Sequence, residues 1–296
     1  MIKFTVFGDL HYDEVPDGSR RIEELLAGMK ETKPDFIVSL GDLCRPVDEN
    51  EEIVLDKFRI IGVPIYHTIG NHETDECSLE DALRFLSLKN SYYSFEYEDI
   101  KFIVMNSCYF SKEGKEQPYY KRNYKAESSV YPIIPSEEMK WLENELSDNK
   151  RYVIFSHHSL INEFRDRGIF NRKEIRELFK EKKILLCMNG HDHGDEVSML
   201  EDVPYFTVNS AAYMWCGAQI SSSEKLREKY ANLHGMLMYK QAFCVNVEID
   251  DDEIRIIGME GEYLSVTPED VELYDYRWNG VSVKPQTSSC VIKLSK

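Results

Sequence analysis

The chain has no Cys-x-x-Cys pair, and its seven cysteines, Cys44, Cys77, Cys108, Cys187, Cys216, Cys244 and Cys290, are odd in number and widely spaced. That argues against a thiolate zinc site and against a disulfide framework. No apolar stretch approaches the ~18 residues that a membrane helix needs. Positive charge is scarce: 36 Lys and Arg stand against 53 Asp and Glu, a net charge of -17. Such a surface disfavours long nucleic acid or an anionic membrane as the main partner. No secretory leader is expected, because Ile2-Lys3-Phe4-Thr5-Val6-Phe7 already reads as a first strand. A reducing cytoplasm is the expected setting.

Against these absences stand five short polar motifs, each placed where an apolar run ends. They are Asp9-Leu10-His11, Gly41-Asp42, Gly70-Asn71-His72-Glu73, His157-His158 and Gly190-His191-Asp192-His193. Imidazole nitrogens with carboxylate and amide oxygens, and no thiolate, suit Mn(II), Fe or Zn held next to water. Singly the pieces are weak. Asp9 alone reads as a carboxylate capping the next loop, but His11, two residues on, falls on the same face of an extended chain and favours a ligand pair. Asn71 after Gly70 fits a left-handed turn as well as a ligand. His157 and His158 cannot both face one site from an extended chain. His67 and His234 read as structural, and Asp192 as pointing away from the ions.

Between the motifs the chain alternates strand, motif loop and amphipathic helix, which predicts a parallel sheet. Ile22, Leu25, Leu26 and Met29 form one buried helical stripe. Strands are predicted over 36–40 and 64–69, and a helix over 78–88. A hairpin pairs 93–97 with 101–105 around Glu98-Asp99. Ser136 is expected to cap a helix, with Glu138 near the capping-box position. Further strands are expected over 151–155, 184–188, 243–249 and 253–258. The fold class is α/β: two packed mixed sheets with helices outside, a four-layer sandwich. Residues 1–265 form one domain, and 266–296 an extension packed on it, with apolar content enough for strands at 271–278 and 289–294.

The order Asp-x-His, Gly-Asp, Gly-Asn-His-Glu, His, Gly-His-x-His resembles the calcineurin-like metallophosphoesterase family over roughly the first two-thirds of the chain. The resemblance implies a pair of divalent or trivalent ions. Asp9, His11, Asp42 and His193 would hold one ion, and Asp42, Asn71, His157 and His191 the other, with Asp42 bridging. His157 is preferred to His158 because the family's ligand stands two residues before a characteristic proline, here Ser159. A bridging carboxylate offers one oxygen to each ion and offsets part of their repulsion, and the two ions together activate a hydroxide for in-line attack on phosphorus. His72 is implied as a general acid facing the scissile phosphate rather than as a ligand. Phosphoprotein phosphatases place an Asp three residues after the Gly-Asp carboxylate to support this histidine. Here Arg45 occupies that position, where it could instead grip a phosphate oxygen. Purple acid phosphatases are disfavoured, because their Tyr ligand would also fall at Arg45 and they lack the His of the first motif.

Two inserts are expected to choose the substrate. Residues 108–134 are rich in rings and bases, including Tyr119, Tyr120 and Arg122, and residues 210–241 carry Trp215. These would form a cap that stacks on a base while a cation steadies a second phosphate; simple packing of the rings on the sheet is the alternative. The expected activity is hydrolysis of a phosphodiester or diphosphate bond in a nucleotide-type small molecule. Phosphomonoester hydrolysis on a small or protein substrate is the runner-up, and a metal-free binding module on the same scaffold a further class. The complete set of seven ligand types favours the enzyme. The sequence leaves the oligomeric state open.

Overall fold

The computed structural model describes residues 1–125, 130–164, 166–217 and 223–294. The inserts at 108–134 and 210–241 are therefore described except at 126–129 and 218–222.

Two six-stranded mixed sheets face one another. In the first, Cys290–Lys293, Glu253–Ile257, Val245–Ile249, Ile2–Phe7, Phe36–Ser39 and Ile65–His67 lie side by side in that order. The second runs Glu196–Leu200, Val203–Thr207, Lys183–Asn189, Arg151–Ser156, Ile100–Val104 and Tyr93–Tyr97. Alternation decides which side chains meet. Phe4, Val6, Phe36 and Val38 of the first sheet pack against Phe102, Val104, Val153, Phe155, Leu186 and Met188 of the second. The opposite faces are buried too, which is why these strands read as continuous apolar runs rather than as alternating ones. Ile37 and Phe7 pack on Ile22, Leu25 and Met29 of the helix Gly18–Thr32. Tyr152 and Ile154 pack with Leu142 of the helix Ser136–Glu145 and with Ile175 and Phe179 of Arg172–Phe179. The layers are thus helix, sheet, sheet, helix, as the sequence indicates.

Local chemistry sets several boundaries. Ser78 caps Leu79–Phe85 through a reciprocal box with Asp81, and the helix stops short of the expected Leu88 because Ser87 turns left-handed at φ +57°. Lys183–Asn189 carries one extra residue, Leu185, opposite the step from Tyr152 to Val153, which keeps the apolar alternation of both strands on the right faces. The expected cap at Ser136 is not formed. Pro135 holds the cap position, extended at φ -68° and ψ 157°. The Ser136 N–H and hydroxyl instead both donate to Glu116, the hydroxyl at 2.6 Å. Glu138 turns inward to accept from the Asn106 N–H at 2.8 Å. A carboxylate from the 108–134 insert thus takes over the work of the box. In the C-terminal extension, Cys290–Lys293 joins the first sheet beside Glu253–Ile257. Residues 271–276 form no strand, and within 271–278 only Arg277–Trp278 pairs, with Val281–Ser282. Among the described residues, no helix is long and apolar enough to cross a membrane.

Candidate metal centre

Ile2–Phe7, Phe36–Ser39 and Ile65–His67 run parallel to one another, as do Arg151–Ser156 and Lys183–Asn189. Their carboxyl ends therefore open on one edge of each sheet, the place where ligands of α/β folds collect. Hydrogen bonds tie the motif loops together: the Asp9 N–H donates to the Gly41 carbonyl at 3.0 Å and the His11 N–H to the Asp42 carbonyl at 2.9 Å. Asp9, His11, Asp42, His191 and His193 all take left-handed backbone, with φ of +53°, +47°, +53°, +65° and +49°. For residues bearing a Cβ this costs about 1–2 kcal/mol each, a strain that accompanies side chains aimed inward from tight turns. The approach leaves no room at the flanking glycines. A Cβ on Gly70 would lie 2.3 Å from Asp42 Oδ1, and one on Gly190 would lie 2.6 Å from Asp9 Oδ2.

All seven residues expected as ligands meet here. His11 Nε2 faces His193 Nε2 at 3.1 Å, and His193 Nε2 lies 3.4 Å from Asp9 Oδ1. On the other side, His157 Nε2 lies 3.0 Å from Asn71 Oδ1 and 3.1 Å from His191 Nδ1. Asp42 stands between the groups, its Oδ2 3.3 Å from His157 Nε2 and 3.7 Å from His11 Nε2. Donor atoms at about 2.1 Å from one ion are about 3.0–3.4 Å apart in octahedral or tetrahedral geometry; five of these spacings fit that range, and His11 to Asp42, at 3.7 Å, is wider.

The tautomers fit as well. His157 Nδ1 donates to the Leu40 carbonyl at 2.8 Å and His193 Nδ1 to the Tyr213 carbonyl at 2.7 Å. A carbonyl only accepts, so Nδ1 of each ring carries a proton and Nε2 is the atom left to face the centre. Burial disfavours the charged form of His157, but Asp42 outweighs burial and raises the imidazole to about 9, so an ion at Nε2 would take the place of that proton. In His191 the roles reverse: Nε2 donates to the Asp166 carbonyl at 3.0 Å and Nδ1 faces inward. Burial holds the His11 and His191 imidazoles well below their ordinary range, which keeps them neutral. Burial works against ionised Asp42, but the surrounding imidazoles, His157 foremost, outweigh it and hold the carboxyl well below its usual range. The set fits a dinuclear centre of nitrogen and oxygen ligands.

Glu73, within the third motif, has a role the sequence did not reveal. Its buried carboxylate accepts from the N–H groups of Gly70, Asp42 and Leu43 at 2.7, 2.9 and 2.7 Å, fastening the second motif to the third. His158, expected to face away, is buried but also lines the cavity, its ring 4.1 Å from that of His191 and its Nδ1 at 2.8 Å from Ser107 Oγ. Asp192 turns aside to Asn162 and Asn189.

His72 is anchored by its N–H to Asp42 Oδ1 at 2.8 Å, and its Nδ1 lies 2.8 Å from Asp75 Oδ2. Burial disfavours its charged form, but Asp42 and Asp75 outweigh burial and raise the imidazole to about 9. The supporting carboxylate missing at position 45 is therefore present three residues after His72, on the same helical turn, where the i, i+3 spacing could have revealed it. Asp75 also accepts from Tyr124 Oη at 2.7 Å and pairs with Arg122 Nε at 2.9 Å.

Above the cage opens a cavity of about 550 Å³. Asp42, Asn71, His72, His191 and His193 form its floor. Tyr119, Tyr124, Lys125 and Val130 line it from one insert, and Tyr213, Trp215 and Asn232 from the other. Arg45 lies outside this lining and is engaged by Asp13 at 3.4 Å and Glu76 at 3.6 Å. Tyr120 is also outside it and is 45% exposed. Arg122 reaches the site only through Asp75.

Residues 2–195 match the calcineurin-like phosphoesterase family. The chain belongs to that family. A dinuclear metal centre and hydrolysis of phosphoric esters come with the membership. No curated protein matches this phosphoesterase by sequence. Among solved structures it is similar to a dimetal phosphatase from Danio rerio, at 13% identity and TM-score 0.63 over 90% of this chain and 99% of that one. It is also similar to the GAP50 anchor of the Plasmodium inner membrane complex, at 14% identity and TM-score 0.56 over 97% and 96%. A purple acid phosphatase from yellow lupin seeds matches at 13% identity and TM-score 0.54 over 88% of this chain and 51% of that one. At these identities the likeness is one of fold.

Proposed function

We propose that this phosphoesterase hydrolyses a phosphodiester or diphosphate bond in a nucleotide-type small molecule. The supporting observation is that one cavity of about 550 Å³ joins the metal-type cage to aromatic and cationic walls contributed by both inserts. A lone phosphate leaves most of that volume empty, whereas pockets of about 300–1,000 Å³ suit ligands with a flat organic part.

When bound, the two ions held by Asp9, His11, Asp42, Asn71, His157, His191 and His193 supply Lewis-acid polarisation of phosphoryl oxygens and acidification of water. The chain's own groups do the rest. His72, oriented through Nδ1 by Asp75, holds a proton at Nε2 for the leaving oxygen. Lys125 offers a charge to a second phosphate. Trp215 offers a face for a base, whereas Tyr119 is 3% exposed and stacked on Tyr124 at 4.3 Å. Arg45, paired on the rim, is assigned no contact with substrate in this reading, and Arg122 acts by holding Asp75.

Phosphatase activity on a monoester is the second reading, favoured by the dimetal and purple acid phosphatases that share the fold. The anchor protein with the same fold keeps a binding role in view, but seven converging ligand-type side chains would be idle in one. A panel of cyclic nucleotides, nucleotide diphosphates and simple phosphomonoesters, run with Mn(II), tests the proposal. Turnover of a diester or diphosphate is expected, with KM raised about tenfold by Trp215→Ala if a base stacks there. Cleavage of monoesters alone, indifferent to Trp215, would overturn it, as would hydrolysis of single-stranded DNA.

A further inference from the structure

Arg167 lies in the loop between the fourth and fifth motifs and lines the cavity beside the cage. Nη1 donates to the His191 backbone carbonyl at 3.0 Å. With the Asn279 amide oxygen turned toward it, Nε and Nη2 donate to that oxygen at 3.2 and 3.3 Å, and Trp278 Nε1 donates to the same atom at 3.1 Å. This orientation satisfies every donor and acceptor involved. Of the five guanidinium N–H donors, three are therefore engaged. The other two, one on each terminal nitrogen, have no partner among the described residues. Asp166 Oδ1 stands 3.9 Å from Nε, too far to accept a hydrogen bond.

Asn279 belongs to the C-terminal extension, outside the 2–195 region shared with the family. Asn279 and Gly280, at φ +49° and +88°, form the two-residue turn between Arg277–Trp278 and Val281–Ser282. An Asn-Gly turn of this kind fits the twist of paired strands. The hairpin is latched to the residues that follow the fifth motif. The Asp195 N–H donates to the Ser282 carbonyl at 2.7 Å, and the Ser282 N–H returns the bond at 3.2 Å. Arg277 pairs with Glu196 at 3.0 Å. The Asn279 carbonyl accepts from Asn162 Nδ2 at 2.9 Å. A cavity-facing cation is thus held on one side by a metal-motif carbonyl and on the other by a turn that the family motifs do not contain.

We infer that Asn279 is a positioning residue that fixes Arg167 so that its two remaining donors grip phosphoryl oxygens in the cavity, making the C-terminal extension part of the substrate site. The inference rests on the phosphoester reading of the cavity. A planar guanidinium fork matches two phosphoryl oxygens, but only if its plane is set beforehand. Asn279 sets it through two bonds to one oxygen. Without Asn279 the single bond to the His191 carbonyl would remain, and one bond leaves the plane free to rotate.

Three single variants separate positioning from folding. Asn279→Gly keeps the left-handed turn and removes the oxygen. Asn279→Asp keeps both the turn and an acceptor. Arg167→Ala removes the cation. Inorganic phosphate titrated calorimetrically into the manganese-loaded protein should bind about 100-fold more weakly to Arg167→Ala and about tenfold more weakly to Asn279→Gly. Asn279→Asp should recover most of the second loss. Adding Asn279→Gly to Arg167→Ala should change nothing further, because both act on one interaction. Thermal midpoints should stay together, and on any panel ester that the wild type cleaves, Asn279→Gly should raise KM while kcat holds. Phosphate affinity unchanged in Asn279→Gly, an equal further loss in the double variant, or no phosphate binding by the wild type would each overturn the inference. If the wild type cleaves no panel ester, the proposed function fails on that result, while the phosphate titration still judges Arg167 and Asn279.

Discussion

The floor and the walls of the cavity are fastened by different bonds. On the floor, ring nitrogens are pinned by the backbone carbonyls of Leu40, Tyr213 and Asp166, and the Glu73 carboxylate gathers three backbone N–H groups. On the walls, contacts between side chains join in: Tyr124 and Arg122 meet at Asp75, and Arg167, bonded to the His191 carbonyl, also rests on the Asn279 amide. Main-chain partners persist whatever residue occupies a position, so the floor is a property of the strand ends. Side-chain partners vanish with one substitution.

Breaking the floor should have the largest effect. Asp42→Asn removes the charge placed between the two ligand groups, and both metal content by elemental analysis and turnover should fall below detection. His72→Ala should keep its metal and lose about 10²- to 10⁴-fold in kcat, most for substrates with poor leaving groups; full rate on such a substrate would contradict its assignment. Glu73→Gln, which touches only the fastening of the floor, should weaken metal binding by about 10- to 100-fold, read by competition with a chelating dye.

The wall yields a smaller effect of a different kind. Arg21 is fully buried in Gly18–Thr32 and donates to the carbonyls of Ala211, Tyr239 and Gln241 at 3.0, 2.5 and 3.0 Å, with Asp17 as its counter-charge at 2.8 Å. It anchors the root of the second insert. Arg21→Ala should cost stability by about 3–5 kcal/mol, because three carbonyls and a carboxylate lose their partner, while the metal content of the folded fraction is retained. Asp17 gives the pH dependence. Burial raises its pKa, but Arg21 and Arg20 outweigh burial and hold it below the usual 3.8. A depressed folded pKa contributes stability above the unfolded value and loses it as pH falls through the folded one. Asp17→Asn should therefore lower the thermal midpoint at neutral pH and narrow the gap to wild type below pH about 3.8.

The same division explains what was legible in the sequence. Asp9, His11, Asp42, Asn71, His157, His191 and His193 could be found because strand ends deliver them in a fixed order, and residue type alone implied their chemistry. The strands themselves showed as apolar runs, since burial on both faces leaves that pattern. Asp75 escaped notice because its value lies in an i, i+3 contact with His72, and the position searched for a carboxylate held Arg45. Arg167 and Asn279 lie 112 residues apart in the chain, and no local spacing links them, although Asn279-Gly280 does advertise a hairpin turn. Ser136 carried the right cap signature, but a carboxylate from Glu116, 20 positions earlier, took the Ser136 hydroxyl and N–H.

On the proposed reading, seven side chains from five strand ends would cage two ions side by side. Anomalous diffraction from crystals grown with manganese tests it most directly. Two peaks about 3.5–4 Å apart, one beside His11 and His193 and the other beside His157 and His191, with Asp42 touching both, are the expected result. A single peak elsewhere on the acidic surface, with the cage empty, would contradict the account.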